Sequence, residues 1–286
     1  MQKRRLKLNT MPGVLYIVAT PIGNLEDLTF RALRILKEVD LIAAEDTRHS
    51  RRLLDHYGIK TPLTSYHEHN EQSKARHLVE RMQRGESIAL ISDAGTPVLS
   101  DPGHRLVQEA IRAGISISPV PGPSALVAAL SASGLSMESF AFEGFLPAKR
   151  KERREKLQSL RAEARTLVFY EAPHRLQESL EDIDAIFGNR EMVLAREMSK
   201  VHEEFLRGSA GDLMARLANR EVRGELTLVI AGAAAEPAVA EEIMAEIRKL
   251  KGQGMRVKEI ADLLGEKYSV PKREVYRMVL ELDESE

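Results

Sequence analysis

Through the first 120 residues, short apolar runs alternate with amphipathic stretches, and each run ends in a loop rich in Gly, Pro or acidic residues. Val14-Leu15-Tyr16-Ile17-Val18-Ala19, Leu41-Ile42-Ala43-Ala44 and Ile88-Ala89-Leu90-Ile91 are too short for helices and carry no polar alternation. Runs of this kind read as strands buried on both faces of a parallel sheet. Further short strands are expected over 63–66 and 115–120, and helices over 28–38, 51–57, 72–84 and 102–113. Gly58, Gly85 and Gly114 stand where three of these helices stop, as a left-handed C-terminal residue requires. Strand, loop and helix in repetition predict a mostly parallel, doubly wound sheet.

The second half changes character. A basic helix over 149–160 precedes a strand over 166–170; a helix over 176–187, strands over 192–195 and 204–207, a helix over 212–217 and a strand over 226–230 follow. Fewer helices between strands suggest a mixed sheet, hence a second α/β domain. After the small-residue linker Ala233-Ala234-Ala235-Glu236-Pro237-Ala238, three helices over 241–250, 257–268 and 271–282 resemble a helix-turn-helix unit. The expected division is 12–130, 131–232 and a C-terminal helical extension over 240–286.

Composition removes several function classes. Lys and Arg number 42 against 43 Asp and Glu, so no global charge marks a nucleic-acid binder. With no cysteine there are no disulfides, thiolate nucleophiles or thiolate metal sites, which fits a reducing, cytoplasmic setting. No apolar run approaches the roughly 20 residues of a membrane span. The basic start, Met1 to Lys7, lacks a following signal-peptide core.

Ligands of open α/β sheets bind at the carboxyl ends of the strands. There lie Thr20-Pro21-Ile22-Gly23-Asn24, Glu45-Asp46-Thr47-Arg48, Asp93-Ala94-Gly95-Thr96-Pro97 and Pro121-Gly122-Pro123-Ser124-Ala125. One such loop reads as a plain turn; four at one sheet edge read as one pocket. No Gly-x-x-x-x-Gly-Lys-Ser/Thr loop and no Gly-x-Gly-x-x-Gly after the first strand is present, which sets aside ATP hydrolysis and dinucleotide redox chemistry. His67 and His69 flank Glu68 without a third ligand at a recognisable spacing, so no metal site is expected.

In this order, Thr20 to Asn24, Ala44 to Arg48, Ser92 to Pro97, Pro121 to Ser124, Glu143 to Pro147, Tyr170 to Arg175 and Ala195 to Glu197 resemble the successive signatures of the tetrapyrrole methylase family, the class III S-adenosylmethionine methyltransferases. Within it, the pattern is similar to the subgroup that modifies small-subunit ribosomal RNA, and it covers residues 13–232. The resemblance implies two α/β domains of tetrapyrrole-methylase type, a helical extension, S-adenosyl-L-methionine in the interdomain cleft, and a homodimer. It implies 2′-O-methylation of a cytidine in the decoding region of 16S ribosomal RNA, free or in the small subunit. The implied cofactor-binding residues are Pro21, Ala94, Gly95, Thr96, Leu99, Ser124, Ala125, Tyr170, Glu171 and Met198. The porphyrin-modifying members' Gly-x-Gly-Pro-Gly-Asp loop is absent after the first strand, and their Gly-Asp-Pro is Gly95-Thr96-Pro97 here. These departures leave those members' acid contacts untransferable.

Methyl transfer to a hydroxyl needs in-line alignment, which supplies on the order of 7 kcal/mol or more, and a proton acceptor. Glu45, Asp46, Asp93, Glu171 and His174 are the candidates, each of which could equally serve as a cap or ion-pair partner. RNA contacts are expected from Arg48, Lys149, Arg150, Lys151, Arg153, Arg154 and Arg175, and the competing reading of the basic helix is a solvated face of Glu–Lys/Arg pairs. Two other functions fit parts of the pattern: methylation of a precorrin or porphyrin, and a ligand-sensing DNA-binding regulator that reads an operator through its C-terminal helices.

Overall fold

The computed structural model describes residues 12–233, 237–268 and 270–285. The first half contains β1 (Val14–Val18), α1 (Phe30–Glu38), β2 (Leu41–Ala44), α2 (Thr47–His56), β3 (Leu63–Ser65), α3 (Glu71–Gln83), β4 (Ile88–Ile91), α4 (His104–Arg112), β5 (Ser116–Val120) and α5 (Ala125–Ser133). Its sheet runs β3-β2-β4-β1-β5 with every pairing parallel. β2 and β4 are buried at every residue, as their unbroken apolar runs require. Pro119 cannot donate to a ladder, and it sits in β5 at the sheet edge, where that loss is tolerated. All five carboxyl ends therefore point to one side.

The second half contains β6 (Phe140–Phe145), α6 (Arg150–Ser159), β7 (Thr166–Glu171), α7 (Leu176–Phe187), β8 (Met192–Arg196), β9 (Glu204–Gly208), α8 (Ala210–Leu217) and β10 (Leu226–Ile230). The sheet order is β6-β7-β10-β8-β9, parallel only between β6 and β7. It is mixed, as the sparse helices suggested. Because β10 runs antiparallel to β7, the start of β10 lies beside the end of β7.

Neither α5 nor β6 is among the elements expected from the sequence. Apolar residues lie on several sides of α5, which hides its helical period. The helix is sandwiched instead: Leu126, Ala129 and Leu130 pack on Val168, Val193 and Val229 of the second sheet. The aromatic residues of β6 partly serve packing. Phe142 and Phe145 meet Tyr170 edge-on at 4.9 and 5.6 Å.

The basic helix α6 departs most from expectation. Arg153 is completely buried, donating to Asp182 at 2.8 Å and Glu178 at 3.1 Å, so it cannot contact RNA. Its neighbours are also matched with acids: Arg150 and Arg154 with Asp182, Lys149 with Glu152, Lys151 with Glu155, and Lys156 with Glu143. The ion-paired reading of this helix is the one its geometry follows.

At the C-terminal end, α9 (Pro237–Gly252), α10 (Val257–Tyr268) and α11 (Lys272–Ser285) enclose a core of their own around Ile243, Ile247, Ile260, Leu264, Val275 and Val279. Lys272 and Arg277 of the last helix pair with Asp262 and Glu281. The middle of the expected linker (234–236) and the basic N-terminal start lie outside the described residues. Among the described residues no helix is long and apolar enough to cross a membrane.

Candidate functional site

Three loops at the carboxyl edge of the parallel sheet are stitched together by hydrogen bonds. Thr20 and Gly95 exchange backbone bonds of 2.9 and 3.0 Å, joining the loops after β1 and β4. The Thr96 hydroxyl donates to the Pro123 carbonyl at 3.2 Å, joining the loop before α5. Gly95 has φ +79°, a left-handed conformation, and a Cβ there would sit 3.3 Å from Ile22 Cγ2. Glycine meets both demands.

The stitched loops face the second half across a cleft of about 400 Å³, within the range of small-molecule sites. One wall is Glu45, Asp93 to Thr96, Leu99 to Asp101 and Ala125; the other is Tyr170 to Pro173 with Gly224 to Thr227, and Ile22 and Phe145 complete it. Five of these residues are acidic, and among the described residues no Lys, Arg or His lines the cleft. On the far side of Ile22, a second chamber of about 500 Å³ is bordered by Asp27, Thr29, Ser124, Met198, Ser199 and Phe205 among others.

Both chambers have a backbone feature in common. Val98 (φ 77°) and Ser100 (φ 65°) flank Leu99, and Glu197 (φ 50°) and Ser199 (φ 66°) flank Met198. For non-glycine residues each such conformation costs about 1–3 kcal/mol, most for a β-branched residue like Val98. Strain of this kind concentrates at ligand sites.

The carboxylates fall into two groups. Glu171 is enclosed and well partnered: it accepts from the Ser179 hydroxyl at 2.6 Å and the Ala172 N–H at 2.7 Å, and it is ion-paired with Arg175 at 2.8 Å. Asp46 caps α2 and pairs with Arg48, whose hydrogen bonds hold its pKa down to about 2. The Asp93 carboxylate accepts the Asp46 N–H at 3.1 Å. In contrast, burial pushes Glu45 up, with Asp101 and Asp93 adding to the shift, and burial together with Asp93 pushes Asp101 up. Burial also raises Tyr170.

Of the residues expected to contact a cofactor, Ala94, Gly95, Thr96, Leu99, Ala125, Tyr170 and Glu171 line the acidic cleft. Ser124 and Met198 line the second chamber, and Pro21 is half-buried and lines neither. Glu45, Asp93 and Glu171 are in the cleft, whereas Asp46 and the exposed His174 are outside it. Arg175, expected at RNA, is mostly covered and engaged with Glu171 and the Leu146 carbonyl. Asp101 was missed; its signal was an acidic residue just ahead of α4, hidden because Gly103 is the actual N-cap. Gly224 to Thr227 carried no signal, since only the antiparallel order of β10 and β7 brings them here. Among the described residues no group of three or more His, Cys, Asp or Glu is placed to hold a metal.

Residues 14–214 match the family Tetrapyrrole (Corrin/Porphyrin) Methylases. The chain belongs to the tetrapyrrole methylase family. Ribosomal RNA small subunit methyltransferase I of Pasteurella multocida is 49% identical to this methylase over 280 residues, covering 96% of the chain and 99% of that protein. The proteins of the same name from Escherichia coli O157:H7 and Synechocystis sp. are each 47% identical, over 98% and 95% of the chain and 99% of either relative. The fold matches solved structures of cobalt precorrin-4 methyltransferase (TM-score 0.60, 16% identity, 76% of this chain, 94% of that one) and diphthine synthase (TM-score 0.59, 14% identity, 77% and 90%). Methylases of this architecture thus carry names for very different substrates, and the fold alone does not choose among them.

Proposed function

We propose that this methylase transfers a methyl group from S-adenosyl-L-methionine to the ribose 2′-oxygen of a cytidine in the decoding region of 16S ribosomal RNA, as a cytoplasmic homodimer. The observation that carries the reading is a cleft lined by five acidic and, among the described residues, no basic side chains, in a chain nearly half identical to small-subunit ribosomal RNA methyltransferases over almost its full length. S-adenosylmethionine, when bound, supplies an activated methyl group on a positively charged sulfur.

The lining fits that molecule. Carboxylates oppose its positive charge, Leu99, Ile22 and Leu226 offer apolar contact, and Gly95 leaves the backbone open to close approach. Ala94, Gly95, Thr96, Leu99, Ala125, Tyr170 and Glu171 hold the donor in this proposal, and Pro21, Ser124 and Met198 support it from beyond Ile22. Glu171 contributes a negative charge held in place by two hydrogen bonds and the Arg175 ion pair, so its role is to brace the wall. Asp46 is held acidic by Arg48. Asp93 already accepts the Asp46 N–H and Glu225 pairs with Lys200, so Glu45 and Asp101, half-buried and raised, are taken as the pair that accepts the hydroxyl proton. The ribose 2′-oxygen forms its bond to the methyl carbon as the carbon–sulfur bond breaks, and the proton passes to the pair.

The test is incubation with methyl-labelled S-adenosylmethionine and small ribosomal subunits lacking the modification, with a precorrin and duplex DNA in parallel. Label is expected only in the ribosomal RNA, in a dinucleotide that resists alkali because its 2′-oxygen is methylated. Label in the precorrin alone overturns the proposal.

A further inference from the structure

The cleft must admit a ribose while its own charge repels the adjoining phosphates, so the nucleic-acid backbone needs an anchor outside it. Helix α6 is a poor anchor, because its cations are matched with acids. Helix α2 is different. It begins two residues after Glu45, at the cleft wall, and turns Ser50, Leu53 and Leu54 inward. Arg48, His49, Arg51 and Arg52 remain exposed, Arg48 with 91% of its side chain accessible. Among the described residues, neither Arg51 nor Arg52 has an ion-pair partner, and Asp46 on Arg48 is the one acid engaged with this face. Arg48 stands three and four positions before Arg51 and Arg52, a like-charge spacing that costs an isolated helix about 0.2–0.5 kcal/mol per pair. Folding gains nothing from that arrangement; a polyanion lying across it would. Exposed His69 follows β3, the strand next to β2, and extends the patch along the same sheet edge.

We infer that the exposed face of α2, led by Arg48, Arg51 and Arg52, is the surface that grips the phosphate backbone of the RNA while the target ribose enters the cleft. The inference rests on the proposed RNA substrate and adds where the RNA docks. Helix α2 starts two residues after Glu45 of the cleft wall, and Arg51 and Arg52 lie about one helical pitch, roughly 5 Å, beyond Arg48. Phosphates flanking a nucleotide in the cleft would therefore lie over them.

The experiment measures equilibrium binding of the full-length protein to small ribosomal subunits at several salt concentrations, alongside methyl-transfer kinetics. Arg51→Gln/Arg52→Gln is expected to weaken binding and raise KM for the subunit by about tenfold. The logarithmic salt slope should fall by about 1–2, while kcat and donor affinity change less than about twofold. Arg51→Lys/Arg52→Lys should restore the slope. Lys149→Gln/Lys151→Gln on α6 is the comparison and should leave the slope in place. Unchanged binding and slope in the α2 variant, with methyl transfer intact, overturn the inference, as does a loss that falls on α6 instead. The proposed function fails in a separate way: the wild type binds subunits through α2 but transfers no methyl group to them.

Discussion

The two sheets deliver residues to the cleft by different routes, and the carboxylates they bring differ accordingly. The parallel sheet sends every strand end to one edge, so Glu45 after β2 and Asp93 to Asp101 after β4 converge with few donors between them. Burial and mutual repulsion then raise Glu45 and Asp101. The mixed sheet offers one strand end and the beginning of its antiparallel neighbour, and there Glu171 is partnered by Ser179, Ala172 and Arg175. Asp182 on α7 follows the second pattern: although burial opposes it, Arg153, Arg154 and Arg150 hold its carboxyl below the ordinary range. Under-bonded acids in the first half suit proton transfer, and over-bonded acids in the second suit holding the walls.

The sharpest way to break this contrast is to exchange the acids for amides. Asp101→Asn should lower kcat by about 10²–10⁴-fold with donor affinity within a few-fold, as expected for loss of a general base. Loss of donor binding alone, measured by calorimetry, would show that the acid serves only as a wall. In the second half, Asp182→Ala leaves buried Arg153 with Glu178 as its remaining acid and should destabilise the fold by about 3 kcal/mol in urea unfolding. Methyl transfer by the molecules that remain folded should be close to normal.

Gly95→Ala comes next. A left-handed alanine costs about 1–2 kcal/mol, and its Cβ presses on Ile22, so donor affinity should drop by about tenfold or more in titration calorimetry. Normal affinity would move the donor out of this cleft. Glu171→Gln removes a charge but keeps an acceptor, so kcat should fall less than tenfold while KM for the donor rises.

The smallest effect is on pH dependence, and its sign separates the halves. Raised carboxylates contribute stability that is complete below their unfolded pKa of about 4 and is lost as pH rises through the folded value. Asp101→Asn should therefore raise Tm at pH 7 and leave it nearly unchanged at pH 4. Asp182, lowered in the fold, contributes stability above its unfolded pKa that is lost as pH falls through its folded value. Activity of the wild type should rise with pH, its acidic limb lying above the ordinary carboxylate range.

Much of the parallel half was legible because Leu41–Ala44 and Ile88–Ile91 are apolar at every position and their loops carry Gly, Pro and acid together. α5 was not, since apolar residues around the helix erase the periodic signal. Arg153 misled for the same physical reason that salt bridges are hard to foresee: its partners are 25 and 29 residues away on another helix. Asp101 was hidden ahead of Gly103, which caps α4, and the start of β10 reaches the cleft through antiparallel pairing with β7, which a linear pattern does not record.

The backbone clasp between Thr20 and Gly95 has a kinetic consequence. Because two loops of the first-half wall are fastened to each other before any guest arrives, that wall has little chain entropy to surrender on capture. Stopped-flow association of the methyl donor should accordingly show no slow phase from ordering of these loops.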